Sequence, residues 1–230
     1  MKTISLTVSN RPEYLKKFLD TLRKCHYINE YELIIGLEPI CMESWRICKS
    51  IDFIPTKIIY NEKKLGVKEN PYRLLNHIFQ FSEFNIYLEE DIILSEDAIS
   101  ICEWYWNSKL YNEFVCLNLH NYWSLDPNAN PKKVKIIPPE DFIAFGWAMD
   151  KLQWNNTFSK WWYLTGRGWD WVIRTCLSQN KKTIIAPEFS RCNHIGEFGT
   201  HAGPKDMIEF RKRPLYQGSP IWPEEFVYEK

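Results

Sequence analysis

Between Ile4 and Leu88, short apolar runs alternate with helical repeats, and this order constrains the chain more than any other feature. Ile4, Leu6 and Val8 mark a strand. Ser9-Asn10-Arg11-Pro12 follows, where Ser or Asn can cap a helix whose first turn tolerates Pro, and Tyr14, Leu15, Phe18, Leu19 and Leu22 then recur at helical spacing. Residues 31–38 and 56–60 read as further strands with a helix over 42–49 between them. After a loop at 61–70, residues 72–79 read as a helix and 85–88 as a strand. Such alternation predicts an α/β fold whose mostly parallel sheet is flanked by helices.

The second half is less regular. Residues 95–106 are expected to be helical from Ser95 or Glu96, 114–118 to form a strand, and 126–139, rich in Pro, Asn and Lys, to form a surface loop. Residues 169–177 read as a short helix and 182–186 as a strand. The expected organisation is a single domain over 1–203, with a donor half to about 95 and an acceptor half from about 96, and an irregular tail over 204–230 that packs on the domain.

A chain of 230 residues with 45% apolar side chains can bury a sizeable core. Its 29 basic and 29 acidic residues cancel, so nothing in the overall charge favours a nucleic-acid partner. Eleven Trp residues suit either a Trp-rich core or a ligand with flat apolar faces, such as a sugar. Seven cysteines without a CxxC pair read as small buried hydrophobes in a reducing compartment. No run approaches the roughly twenty apolar residues of a membrane span, and the alternating first residues resemble a strand rather than a signal peptide. The expected location is the cytosol, free or peripheral to a membrane.

The sharpest chemical signal is Glu89-Glu90-Asp91 after the apolar run of residues 86–88. Carboxylates are costly inside a core, so they should lie where the strand emerges, at the edge where parallel sheets place ligands. Three adjacent acids repel one another unless a cation compensates them, and hard oxygen donors favour Mg²⁺ or Mn²⁺ over Zn²⁺. A solvated acidic turn is the competing reading.

An acidic cluster ending such a strand resembles the Asp-x-Asp-type element of GT-A (Rossmann-like) glycosyltransferases. Several segments are similar, in order, to the N-acetylglucosaminyltransferase I family: Thr7 to Pro12, Glu38, Glu89-Glu90-Asp91, Phe142 to Met149 and Gly168 to Arg174. The resemblance implies an inverting, metal-dependent transfer from a nucleotide-sugar donor, a UDP-sugar such as UDP-GlcNAc, to a glycan or other hydroxyl acceptor. It places Asp91 on Mn²⁺ or Mg²⁺, Arg11 and Glu38 on the donor, Glu90 near the ribose and Glu89 on the donor sugar. Asp170 becomes the catalytic base, and Trp147, Trp169 and Trp171 shape the sugar and acceptor pockets. His194 or His201, in the glycine-rich stretch 191–203, is placed on the diphosphate or metal.

Alternatives remain open on the residues alone. Arg11 also suits a surface position beside a helix start, and Asp170 a helix cap. A glycoside hydrolase, a nucleotide-sugar hydrolase or nucleotidyltransferase, and a non-catalytic carbohydrate-binding module are the rival functions.

Overall fold

The computed structural model describes residues 1–122, 128–166, 168–197 and 213–229. Its strands are β1 (Lys2–Val8), β2 (Glu32–Leu37), β3 (Thr56–Tyr60), β4 (Phe84–Glu89), β5 (Ile92–Leu94), β6 (Leu117–Asn118), β7 (Lys133–Ile137), β8 (Gly146–Asp150), β9 (Ile184–Pro187), β10 (Cys192–His194) and β11 (Val227–Tyr228). The helices are α1 (Pro12–Leu22), α2 (Met42–Lys49), α3 (Gly66–Ile78), α4 (Ala98–Asn107), α5 (Lys151–Asn156), α6 (Phe158–Trp161) and α7 (Trp169–Gln179).

Nine strands form one sheet in the order β11-β7-β9-β6-β8-β4-β1-β2-β3. The pairs β3/β2, β2/β1 and β1/β4 are parallel, as the alternation demands, because a helix returns the chain to the same end before each new strand. Antiparallel β8 joins β4 to the second half. One sheet thus runs through both halves of the chain, and β4 is central and buried along its apolar length. α1 buries Leu15, Phe18, Leu19 and Leu22 at helical spacing, as the sequence predicts.

Four expectations need correction. α3 begins at Gly66, inside the expected loop, and contains Pro71. Proline is a poor interior residue, but here the carboxylate of Glu38 receives the Leu65 and Gly66 N–H groups and anchors the helix start five residues upstream. The helix expected from Ser95 begins at Ala98, and the strand expected over 114–118 is regular only at Leu117 and Asn118. The expected loop 126–139 contains β7, since Lys133 to Ile137 pair antiparallel with β9 and bury Val134 and Ile137.

The tail is not wholly irregular either. From Arg213 it runs beside β10, with Asn193 donating to the Arg213 carbonyl at 3.1 Å, and it ends by adding β11 to the sheet edge. A buried ion pair holds it: Arg191 Nε lies 2.9 Å from Asp97 Oδ1, and its guanidinium packs over the rings of Tyr216 and Phe226. All seven cysteines are free thiols, and all but Cys41 are buried. Among the described residues, no helix is long and apolar enough to cross a membrane.

Candidate functional site

β1, β2 and β4 end side by side at one edge of the sheet, where their exit loops enclose a cavity of about 690 Å³. Its lining includes Arg11, Glu38, Glu89, Glu90 and Asp91, so the structure gathers five residues that the sequence scatters over eighty positions. Register explains part of this, because Thr7 stands directly opposite Glu89 in the parallel β1/β4 pair.

The acids differ in their surroundings. Glu38 is spent on structure: its carboxylate accepts from Leu65 N–H at 2.9 Å and from Gly66 N–H at 2.7 Å, fixing the first turn of α3 against the cavity. Glu90 accepts from Ser9 N–H at 2.9 Å and lies 3.4 Å from Arg11 Nε, which ties the β1 exit loop to the end of β4. Glu89 accepts from the Tyr87 hydroxyl at 3.1 Å. Burial pushes the Glu89 carboxyl up to about 7, with the charge of Asp91 adding to the effect, while His194 and Arg11 oppose it. Burial also pushes Glu90 up to about 7 against the Ser9 N–H and Arg11. Burial acts on Asp91 in the same sense, but the hydrogen bond and charge of His194 and the charge of Arg11 outweigh it and hold that carboxyl low. Asp91 is therefore the member of the trio kept ionised.

β10 brings His194 to this place. It pairs antiparallel with β5, setting His194 opposite Ile92, and His194 Nε2 reaches Asp91 Oδ2 at 3.1 Å. Arg11 Nη1 contacts the same oxygen. Asp91 Oδ1 is buried with no hydrogen-bond partner among the described residues. Asp91 also receives Ile195 N–H on its backbone carbonyl at 2.8 Å, so the loop after β10 lies across it. Gly196 is required there, because a Cβ would stand 2.6 Å from Asp91 Oδ2 and 2.9 Å from His194 Cε1. Gly196→Ala is expected to lift this loop and cost about 1–3 kcal/mol of stability, the usual cost of overpacking, read as a lower melting temperature in a calorimetric scan. An unchanged melting temperature would show that the loop yields freely. His201 lies outside the described residues.

The aromatic expectations divide. Trp147 is fully buried, donates its indole N–H to the Ala144 carbonyl at 3.1 Å and stacks under Tyr87 with centroids 5.2 Å apart. Trp169 is also buried, stacked on Trp162 at 4.1 Å. Both support the cavity floor from the core, because Tyr87 is interposed, and neither lines this cavity. Trp171 is 57% exposed, with the Arg174 guanidinium over its ring at 5.1 Å.

Asp170 is the second residue of α7 and caps nothing with its side chain; Gly168 holds the cap position. It does not line the cavity. Its helix nevertheless starts beside it: Trp169 meets Tyr87 edge-on, and the preceding segment is bound to the start of α3 through Trp162 Nε1 donating to the Lys68 carbonyl at 2.9 Å. The cavity also has walls that the sequence reading missed, chiefly Thr7, Tyr87, Lys64, Val67 and Asn70. Period two along β4 places Tyr87 on the face of Glu89 and was available as a signal. Lys64 and Val67 were hidden in the presumed loop.

No protein-family model matches the sequence, and no curated protein matches it. Among solved structures, S. aureus TarS 1–349 in complex with UDP-GlcNAc matches with a TM-score of 0.61 at 10% sequence identity, over 94% of this chain and 68% of that one. S. aureus TarS 1–349 on its own matches at 0.57 and 10% identity, over 85% and 60%, and its complex with UDP at 0.58 and 10%, over 81% and 57%. The mostly parallel central sheet flanked by helices is a fold shared with TarS. At this identity the likeness concerns the fold alone, and it gives the narrower N-acetylglucosaminyltransferase I resemblance no support. The chain spans 60% of the TarS 1–349 structure.

Proposed function

We propose that the chain is a metal-dependent, inverting glycosyltransferase that takes a sugar from a UDP-sugar, UDP-GlcNAc being the first candidate, and moves it to a hydroxyl of a glycan. The observation that carries the reading is Asp91: ionised, with one bare buried oxygen, beside Arg11 and His194 in a cavity at the carboxyl ends of parallel strands. TarS holds UDP-GlcNAc and UDP on the same fold.

The residues suit a hard divalent cation such as Mn²⁺ or Mg²⁺. Among the described residues, no three His, Cys, Asp or Glu side chains are arranged to hold an ion by themselves. Ions of this kind are commonly held by one or two protein groups with substrate phosphates completing the shell, and Asp91 Oδ1, with His194 beside it, matches that division. When bound, the cation stabilises the charge that grows on the departing diphosphate.

The chain's own groups do the rest. Arg11 offers guanidinium N–H donors to the diphosphate from the start of α1. Glu89, held by Tyr87, orients the donor sugar, and Glu38 and Glu90 shape the nucleoside end by fixing α3 and the β1 exit loop. Asp170 takes the proton of the acceptor hydroxyl as its oxygen bonds to the anomeric carbon. The bond to the diphosphate oxygen breaks with its electron pair, inverting that carbon. Trp171, exposed beside Asp170, offers a face to the acceptor sugar.

A thermal-shift series with UDP-GlcNAc, with and without Mn²⁺, tests the reading. Ligand at about a hundred times its Kd contributes about 2.7 kcal/mol, or roughly 5 °C for a chain of this size, and the rise should require both components. A rise with UDP-GlcNAc that EDTA leaves intact would remove the cation. No rise with any nucleotide sugar would remove the function.

A further inference from the structure

Asp91 presents two unlike oxygens. Oδ2 is taken twice, by Arg11 Nη1 and by His194 Nε2, whereas Oδ1 is buried and has no hydrogen-bond partner among the described residues. The guanidinium that satisfies Oδ2 is not locked in place. Arg11 is a quarter exposed, its only other ion pair among the described residues is the 3.4 Å approach of Nε to Glu90, and its side chain makes no capping bond to α1. Its backbone, by contrast, is fixed, with the carbonyl receiving Leu15 N–H at 3.0 Å. The result is a long cationic side chain on a fixed backbone, at the wall of a cavity that four carboxylates also line.

From this geometry we infer that Arg11 is the resident counter-ion of Asp91 and is exchanged for the divalent cation only when a nucleoside diphosphate enters to receive the displaced guanidinium. The inference rests on the proposed function. A guanidinium on Oδ2 and a dication on Oδ1 of the same carboxylate repel each other, and a partly dry cleft screens that repulsion weakly. Arg11 therefore lowers the affinity of the empty site for metal. An incoming diphosphate reverses the balance, because it gives Arg11 another anion to pair with and supplies the missing oxygen ligands. Metal and nucleotide then bind as a coupled unit, each raising the affinity for the other by the same factor. The device protects a buried carboxylate cluster from remaining uncompensated between turnovers and keeps free metal out of an empty site.

The test is free Mn²⁺ measured by electron paramagnetic resonance during titration of the whole chain, with and without UDP, for the wild type, Arg11→Met and Arg11→Lys. In the wild type, UDP should tighten Mn²⁺ binding by about a hundredfold, within the usual range of coupling between sites. Arg11→Met should bind Mn²⁺ alone about tenfold more tightly than the wild type, and the gain from UDP should shrink. Arg11→Lys keeps the charge and should keep weak binding of Mn²⁺ alone. If the wild type binds Mn²⁺ with UDP but Arg11→Met shows no gain for Mn²⁺ alone, the exchange is wrong while the metal site stands. An equal gain in Arg11→Lys overturns it too, since the effect would not depend on charge. If the wild type binds no Mn²⁺ even with UDP, the metal-dependent function falls and the exchange with it.

Discussion

Asp91→Asn and Asp170→Asn should fail in different ways, and the difference separates donor binding from chemistry. Loss of the Asp91 charge removes the ionised carboxylate proposed to hold the cation, so donor binding should lose its response to Mn²⁺ and turnover should fall by about two to three orders of magnitude. That range corresponds to several kcal/mol of lost charge stabilisation at 1.36 kcal/mol per decade. Asp170→Asn keeps shape and removes the proton acceptor. Turnover should drop by about two to four orders of magnitude, with the Kd for UDP nearly unchanged. Donor titrations and single-turnover rates on both variants decide the matter. A fully active Asp170→Asn would end the case for the base, and Asp91→Asn with intact Mn²⁺ dependence would move the cation elsewhere.

The second large effect concerns stability. Arg191 has no exposed surface, and its removal leaves Asp97 buried without its cation. Arg191→Met should cost about 3–5 kcal/mol, because the uncompensated carboxylate bears its full desolvation penalty. For a chain of this size, that lowers the melting temperature by roughly 10 °C or more. Adding Asp97→Asn removes the orphaned charge and should restore part of the loss. Recovery is incomplete because Arg191 also donates to the carbonyls of Phe189 and Pro131, each at 2.6 Å. Calorimetric scans of the single and double variants read both effects. A single variant that melts with the wild type would show that the pair contributes nothing.

Much of the first half of the chain was legible because its signals are local. The apolar strands, the amphipathic α1 and the acids closing β4 follow from residue spacing, and parallel pairing then brings the ends of β1, β2 and β4 together, although neither Ser9 nor Asn10 caps α1, whose N-cap position falls to Arg11. The other misreadings have a common cause, which is that the deciding partner is remote in sequence. Glu38 starts α3 from twenty-seven residues away and overrides the signal of Pro71. His194 meets Asp91 only because β10 pairs with β5, a contact that no spacing within either segment discloses. The family resemblance puts Trp147 and Trp169 in the sugar and acceptor pockets, whereas their burial behind the Tyr87 ring makes both part of the core. Part of the abundance of Trp is architectural, with Trp104, Trp147, Trp154, Trp162 and Trp169 buried, while Trp45, Trp171 and Trp222 lie at the surface.

The outermost strand, β11, comes from residues 227 and 228, yet it pairs with Lys133 and Val134. During synthesis, β7 must therefore wait through more than ninety residues as an open rim, able to pair with any extended chain nearby. Chaperone demand and aggregation risk should concentrate in that interval, far from the cleft and independent of whatever occupies it.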